Sequence, residues 1–503
     1  MDVFGIISWL MLSAVGAGVL AFLLFCCYLQ YIHMKFDHIP GPPRDSFFLG
    51  HFPSISRKSD DGGTIYDLLL EWAEKYGPVV RFNGLHTVSL IVTSPEATKE
   101  FLMSPKYPKD PLIYDTLGTL FGVRCLGKGL LTDRDYDHWH KQRRMMDPAF
   151  SRTYLKGLIG TFNEKAEALM EKLAENADGK TEVRIHDLMS RVTLDVIAKA
   201  AFGMELNSLN DDQTPFPRAI SSVVKGMYEQ RIPFLKWLPW KRQLVKDAQE
   251  SVRLLRRTGK ECIQRRKKAI ENGEEIPLDI LTQILKGAAL EGDCEEEMML
   301  DNFVTFFIAG QETTANQLAF AVMSLGRNQE ILNKVQAEVD EVIGCKRDIE
   351  YEDLGKLQYL SQVLKETLRL YPTAPVTSRL LENETVIEGV KIPANVVMIF
   401  TMYTVGRTDK FYKDPLIFDP DRFSPDAPKS HYTYFPFSLG PRSCIGQIFA
   451  QMEAKVVMAK LLQRYDFELV AGQSFKILDT GSLRPLDGVI CRITPRRNTH
   501  TSK

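Results

Sequence analysis

From Val3 to Ile32 the chain carries no aspartate, glutamate, lysine or arginine. No other stretch limits its fate so strongly. A bilayer core takes about 20 apolar residues, and a single segment can satisfy its backbone there only as a helix. The run "FGIISWLMLSAVGAGVLAFLLFCCYL" is therefore expected to span a membrane. It begins Met1-Asp2, without the basic head, shorter apolar core and small-residue cleavage site of a removable signal. The competing reading is the uncleaved signal of a secreted protein. The first lysines and arginines, Lys35, Arg44, Arg57 and Lys58, follow the span, which places the body on the cytosolic side. The sequon Asn383-Glu384-Thr385 would then stay unglycosylated.

Three prolines in "HIPGPPR", His38 to Arg44, stop any helix and favour a stiff extended segment. The expected plan is an anchor over 1–33, a proline-rich hinge over 34–50 and one large domain over 51–503. Its 44% apolar and 25% charged residues are ordinary for a folded body. A net charge of −1 gives no reason to expect nucleic acid. The eight cysteines form no C-x-x-C pair and no zinc spacing, as suits a reducing compartment.

"VVRFNGLHTVSLIV", Val79 to Val92, predicts a hairpin turning at Asn83-Gly84. Shorter strand signals lie in "VIEGVKIP" and in the last thirty residues. Helical spacing marks "TFNEKAEALMEKLAEN", "NFVTFFIAGQETTANQLAFAVMSLG" and "LGKLQYLSQVLKETLRLYP". The fold class is therefore mainly α with a small β part, behind an N-terminal transmembrane helix.

Several catalytic patterns fail. "GVRCLGKG" has phosphate-loop spacing but ends in Gly129 where a magnesium-binding hydroxyl belongs. H-E-x-x-H, C-x-x-C-H and G-x-S-x-G are absent. "FSLGPRSCIG", Phe437 to Gly446, is more informative. Glycines 440 and 446 permit tight turns and close approach to a flat ligand. The helical "QIFAQMEAKVVMAKLLQRY" follows, so Cys444 sits at a helix N-terminus, with the cation Arg442 two residues earlier. Alone, the cysteine reads either as a buried thiol or as a thiolate metal ligand.

Phe437, Gly440, Arg442, Cys444 and Gly446 fit the frame F-x-x-G-x-R-x-C-x-G, in which the chain resembles the cytochrome P450 family. The family's other motifs follow suit. "ETLR" gives Glu366 and Arg369, and "FDPDRF" gives Arg422, together implying a structural Glu-Arg-Arg network. "AGQETT" gives Glu312 and Thr313, implying an acid-alcohol pair that orders water and passes protons on the oxygen side of a haem. A helix kink with Thr313 bonded back to a carbonyl is the bland alternative. "WHKQR" gives Trp139 and Arg143, which with Arg379 and Arg442 are the implied propionate ligands. The resemblance implies haem b ligated by Cys444 and reduced by NADPH–cytochrome P450 reductase. NADPH would thus be used indirectly, and O2 would be cleaved to insert one oxygen.

Within the family, "DHIPGPPR", "NFVTFFIAGQETTANQLAF" and "YFPFSLGPRSCIGQ" are most similar to the sterol side-chain hydroxylases. They imply cholesterol 24-hydroxylation at the endoplasmic reticulum membrane. Another steroid, a fatty acid or a xenobiotic are the alternative substrates. A P450-fold isomerase or lyase, or a non-catalytic haem sensor, would not need Glu312 and Thr313. Lys141 and Arg144 are candidate reductase contacts. "RIPFLKWLPWKR", Arg231 to Arg242, has the tryptophan-with-lysine character of a loop that dips into the bilayer. The pocket is expected from 110–127, the Phe303–Thr313 face and Thr373–Thr377.

Overall fold

A computed structural model describes residues 3–232, 235–291, 295–428 and 431–496. Phe234 of the tryptophan loop and Cys294 of the acidic connection lie outside them. The apolar run is one helix, Val3–Phe36, whose Ile7–Phe36 portion has a mean hydropathy of 2.4. Residues 7–25 are exposed, with Phe22 tilted against Phe48, but Leu29, His33 and Phe36 are buried. Phe36 and Ile39 join Val79, Val88 and Leu90 in an apolar cluster under the main sheet. The proline segment is pinned there too. Asp37 accepts from Arg44 at 2.6 Å and from Arg81 at 2.8 Å.

That sheet has four strands, in the order Val79–Gly84, Thr87–Val92, Val396–Thr401, Val376–Leu381. The predicted hairpin forms, but its turn is Leu85-His86, because Gly84 pairs with Thr87. Leu85 takes the positive φ of 54°. Asn83 and Gly84 are held in the strand by the preceding segment. His51 Nδ1 accepts the Asn83 amide at 3.1 Å, and Gly50 bridges to Gly84. The short hairpin of Thr385–Ile387 and Val390–Ile392 and the C-terminal strands form as expected.

Helices make the rest. Glu296–Gly326 runs through the centre, buried over nearly all its length, so it reads as apolar all round rather than amphipathic. Ile185–Phe202 packs closely along it. A Cβ on Gly310 would come within 2.8 Å of Ile197, so that glycine is required by helix packing. The stretch around Glu366 is two helices, Tyr351–Lys356 and Gln358–Leu370, instead of one. The second starts afresh because Glu338, from a neighbouring helix, accepts the amides of Tyr359 at 2.6 Å and Leu360 at 2.8 Å. Nothing local in the sequence announces that borrowed cap.

Candidate active site

Cys444 lies in a loop folded against the start of the Gln447–Arg464 helix. Its amide donates to the Phe437 carbonyl at 2.8 Å. Ser438 and Gly440 take φ values of 60° and 67° to close the loop. A Cβ on Gly440 would lie 2.3 Å from the Leu102 carbonyl oxygen. The close approach that needs this glycine is thus to the backbone of Leu102 and Met103. Cys444 is enclosed by protein yet keeps an exposed surface, so its thiol faces a space within the fold. Burial pushes the thiol up; the Gly446 amide, Arg143 and Lys109 act the other way. The cations felt by the sulfur are therefore Arg143 and Lys109 rather than the expected Arg442.

Arg442 turns elsewhere. Its guanidinium stacks 3.9 Å from the buried Trp139 ring and donates to the Asp133 carbonyl at 2.7 Å. Burial and the nearby Arg379 bring its pKa down to about 10. Arg143, on the Tyr136–Met146 helix with Trp139, bonds Asp147 at 2.6 Å and the Ser443 carbonyl at 2.7 Å. It stitches that helix to the cysteine loop. Arg379 is 1% exposed and its Nη2 has no partner among the described residues.

Lys109 completes this group and was not legible in the sequence. It is buried, donates to the Leu131 carbonyl at 2.6 Å and lies 4.4 Å from the Tyr114 ring. Burial first, then Arg379 and Arg442, hold its ammonium well below the usual lysine range. A lone lysine between the prolines of "YPKDP" gives no pattern to find.

On the central helix, Ala309 is exposed while Met298 through Ile308 are buried, and Glu312 and Thr313 are partly exposed. Ala309 and Thr313 are one turn apart, and the Thr313 hydroxyl donates to the Ala309 carbonyl at 2.9 Å. The back-bond of the bland alternative is thus present in this structure. Glu312 accepts from Ser482 at 2.8 Å and from Asn316 at 3.3 Å. Phe303 and Phe307 of the expected pocket face are buried and pack on Phe202 instead. The 110–127 segment and the Thr373–Thr377 turn do meet, through Tyr114 and Thr377 at 3.3 Å.

Glu366, Arg369 and Arg422 come together behind this site. Arg369 donates twice to Glu366, each at 2.7 Å, and also to the Pro415 carbonyl at 2.8 Å. Arg422 Nε stands 3.5 Å from the same carboxylate, and the Asp419 amide donates to it at 2.8 Å.

A mostly helical body with small sheets, a long apolar N-terminal helix and a cysteine loop leading into a helix fits the haem-thiolate class of fold. Residues 40–492 match the family described as Cytochrome P450, and the chain belongs to that family. It is similar to cytochrome P450 4d2 of Drosophila melanogaster, 27% identical with 91% of this chain and 94% of that one covered. It is also similar to cytochrome P450 3A16 of Mus musculus, 25% identical over 96% and 98%. With the carotene epsilon-monooxygenase of Arabidopsis thaliana it shares 29% identity over 88% and 85%. The protein is a cytochrome P450 monooxygenase, and membership implies a thiolate-bound haem iron.

The residues fit such a group. Lys109, Arg379 and Arg442 cluster in the interior, and a buried guanidinium nitrogen there lacks a partner. Two buried carboxylates, Asp110 and Asp133, face these three basic groups, and the two propionates of a haem would offset the remaining positive charge. The Cys444 thiol meanwhile faces internal space, as a metal ligand must.

Proposed function

We propose that this monooxygenase hydroxylates a sterol, cholesterol at C24 of its side chain, at the cytosolic face of the endoplasmic reticulum membrane. Electrons come from NADPH through NADPH–cytochrome P450 reductase. The sterol assignment rests on the motif stretches that resemble sterol side-chain hydroxylases. A lipophilic substrate is supported by one observation above all: Trp237 and Trp240 are 64% and 75% exposed, and Trp237 lines a cleft of about 290 Å³. Ile232 is exposed beside them, whereas Leu235 of the same loop is buried and anchors it. Phe121, Gly122 and Gln230 line the cleft, and Gln230 fixes the Phe121 segment through the Thr116 carbonyl at 2.7 Å. Exposed tryptophans beside lysines favour the headgroup region, so substrate enters from lipid.

The haem, when bound, supplies the one-electron and dioxygen chemistry. Cys444 would supply its thiolate ligand, and the Phe437 carbonyl and the Gly446 amide hold that residue in place. Lys109, Arg379 and Arg442 would hold its propionates, Trp139 carries Arg442, and Arg143 braces the cysteine loop. Thr313 exchanges its bond to the Ala309 carbonyl for an ordered water. Glu312 passes protons inward toward that water. The Glu366, Arg369 and Arg422 network keeps the loop side rigid. Lys141 and Arg144, exposed on the helix that carries Arg143, face an acidic reductase surface.

The test is turnover of cholesterol by the full-length protein with reductase and NADPH in a bilayer. Cholesterol hydroxylated at C24 supports the reading. Turnover of fatty acids with none of cholesterol would replace it with another lipid hydroxylase.

A further inference from the structure

A polar thread runs from the Glu312 carboxyl outward between two helices and a strand. The Ser482 hydroxyl donates to Glu312 Oε1 at 2.8 Å. Asn316 Nδ2 donates to the same oxygen at 3.3 Å and to Ser482 Oγ at 3.2 Å. Asn316 Oδ1 in turn accepts from His186 Nε2 at 2.8 Å. His186 sits on the adjacent Ile185–Phe202 helix, with its own amide bonded to the Gly488 carbonyl at 2.9 Å. Its other ring nitrogen is 3.7 Å from Asp187 Oδ1, whose side chain is 57% exposed.

The burial gradient gives the thread a direction. Asn316 is 0% exposed, His186 7% and Ser482 9%, while Asp187 stands in solvent. Polar groups taken out of water this way are costly unless every bond is made, and here they are. The two helices are locked around the thread. Gly310 packs on Ile197, and the Thr193 hydroxyl donates to the Gln311 carbonyl at 3.1 Å. Asn316 therefore has little freedom, and its acceptor is fixed by the one donor opposite it.

We propose that His186 is a positioning residue for Glu312. By holding Asn316 it orients the amide that, with Ser482, fixes the Glu312 carboxyl. Without His186 the Asn316 amide loses its anchor and rotates, and the carboxyl loses its defined resting place. Glu312 then exchanges protons from a distribution of orientations instead of one. The consequence is poorer timing of proton delivery, not loss of substrate binding. This rests on the proton-passing role proposed for Glu312.

The experiment uses the full-length haem-loaded protein in a bilayer with reductase, NADPH and cholesterol. His186→Ala is expected to lower the fraction of NADPH converted to hydroxysterol several-fold, with peroxide released in its place. Peroxide-driven turnover and KM for sterol should stay at wild-type values. His186→Gln, which restores a side-chain donor, should recover most of the coupling. Independently of turnover, the Glu312 carboxyl infrared band, identified as the band lost in Glu312→Gln, should shift or broaden in His186→Ala and in Ser482→Ala. An unchanged band together with unchanged coupling in His186→Ala overturns the proposal. If Glu312→Gln itself leaves coupling intact, the role of Glu312 falls; the infrared band then decides the His186 contact by itself, and an unshifted band overturns it.

Discussion

Arg369 presents Nε and Nη2 to the two oxygens of Glu366, both at 2.7 Å, with neither side chain exposed to solvent. The pair is bidentate and buried, and its spare donors reach the carbonyls of Gly406, Pro415 and Ile417. One ion pair thereby fastens three points of the chain leading to the cysteine loop. Truncating one partner of such a pair leaves a stranded charge and costs about 3–5 kcal/mol. Glu366→Ala is therefore expected to yield protein that retains little haem and unfolds at lower denaturant. Absorbance per unit protein and urea unfolding read both effects.

Cys444 has no substitute among the described residues near that internal space. Cys444→Ala should abolish the thiolate signature in the reduced carbon-monoxide spectrum, and Cys444→Ser should leave at most a weak oxygen ligand with little monooxygenase activity. Retention of the thiolate signature in either variant would refute the assignment of this sulfur.

Gly310 tests the helix contact that carries the Glu312 and Thr313 turn. Gly310→Val drives methyl groups into Ile197, where even a Cβ comes within 2.8 Å. Overpacking of this kind costs about 1–3 kcal/mol. A lower thermal midpoint is expected, with catalytic efficiency falling further than stability accounts for. Paired replacement with Ile197→Ala should recover part of both.

Glu453 makes a pH-dependent prediction. The residue is 0% exposed, and among the described residues neither carboxyl oxygen has a well-formed hydrogen bond. Burial pushes it well above the ordinary value of 4.5, with the Thr314 hydroxyl pulling weakly the other way. A carboxyl raised in the folded state is neutral when the unfolded chain has already ionised. Stability from this group is therefore full below the unfolded value and declines as pH rises toward the folded one. Glu453→Gln should raise the thermal midpoint at pH 7 to 8, and the gain should vanish toward pH 4. Midpoints measured across that range decide it.

Trp237 and Trp240 give the membrane test. In vesicles carrying bromolipid, the emission quenched in the full chain should drop when both are changed to phenylalanine, leaving the share due to Trp9 in the span. Unaltered quenching would return the loop to the aqueous surface.

How legible was all this beforehand? The fold class, the long apolar N-terminal helix and the meeting of Glu366 with Arg369 and Arg422 followed from patterns a single chain displays: an uncharged run, helical spacing and ordered motifs. The misread features share a different cause. Asn83-Gly84 looks like a turn until Gly50 and His51 claim it from outside. Arg442 looks like the thiolate's cation until Trp139 draws it aside. Each was decided by a partner distant in sequence. Lys109 was invisible for the same reason, being one lysine whose meaning comes from two arginines more than two hundred residues away.

The end of the N-terminal helix has a practical corollary. Leu29, His33 and Phe36 are buried against the body, and Asp37 holds Arg44 and Arg81. The tether is thus continuous with the catalytic scaffold instead of hanging from it. A soluble version cut just after the apolar run would strip a face from the sheet and expose its underside. A cut placed ahead of Leu29 removes the exposed apolar turns and keeps the plug.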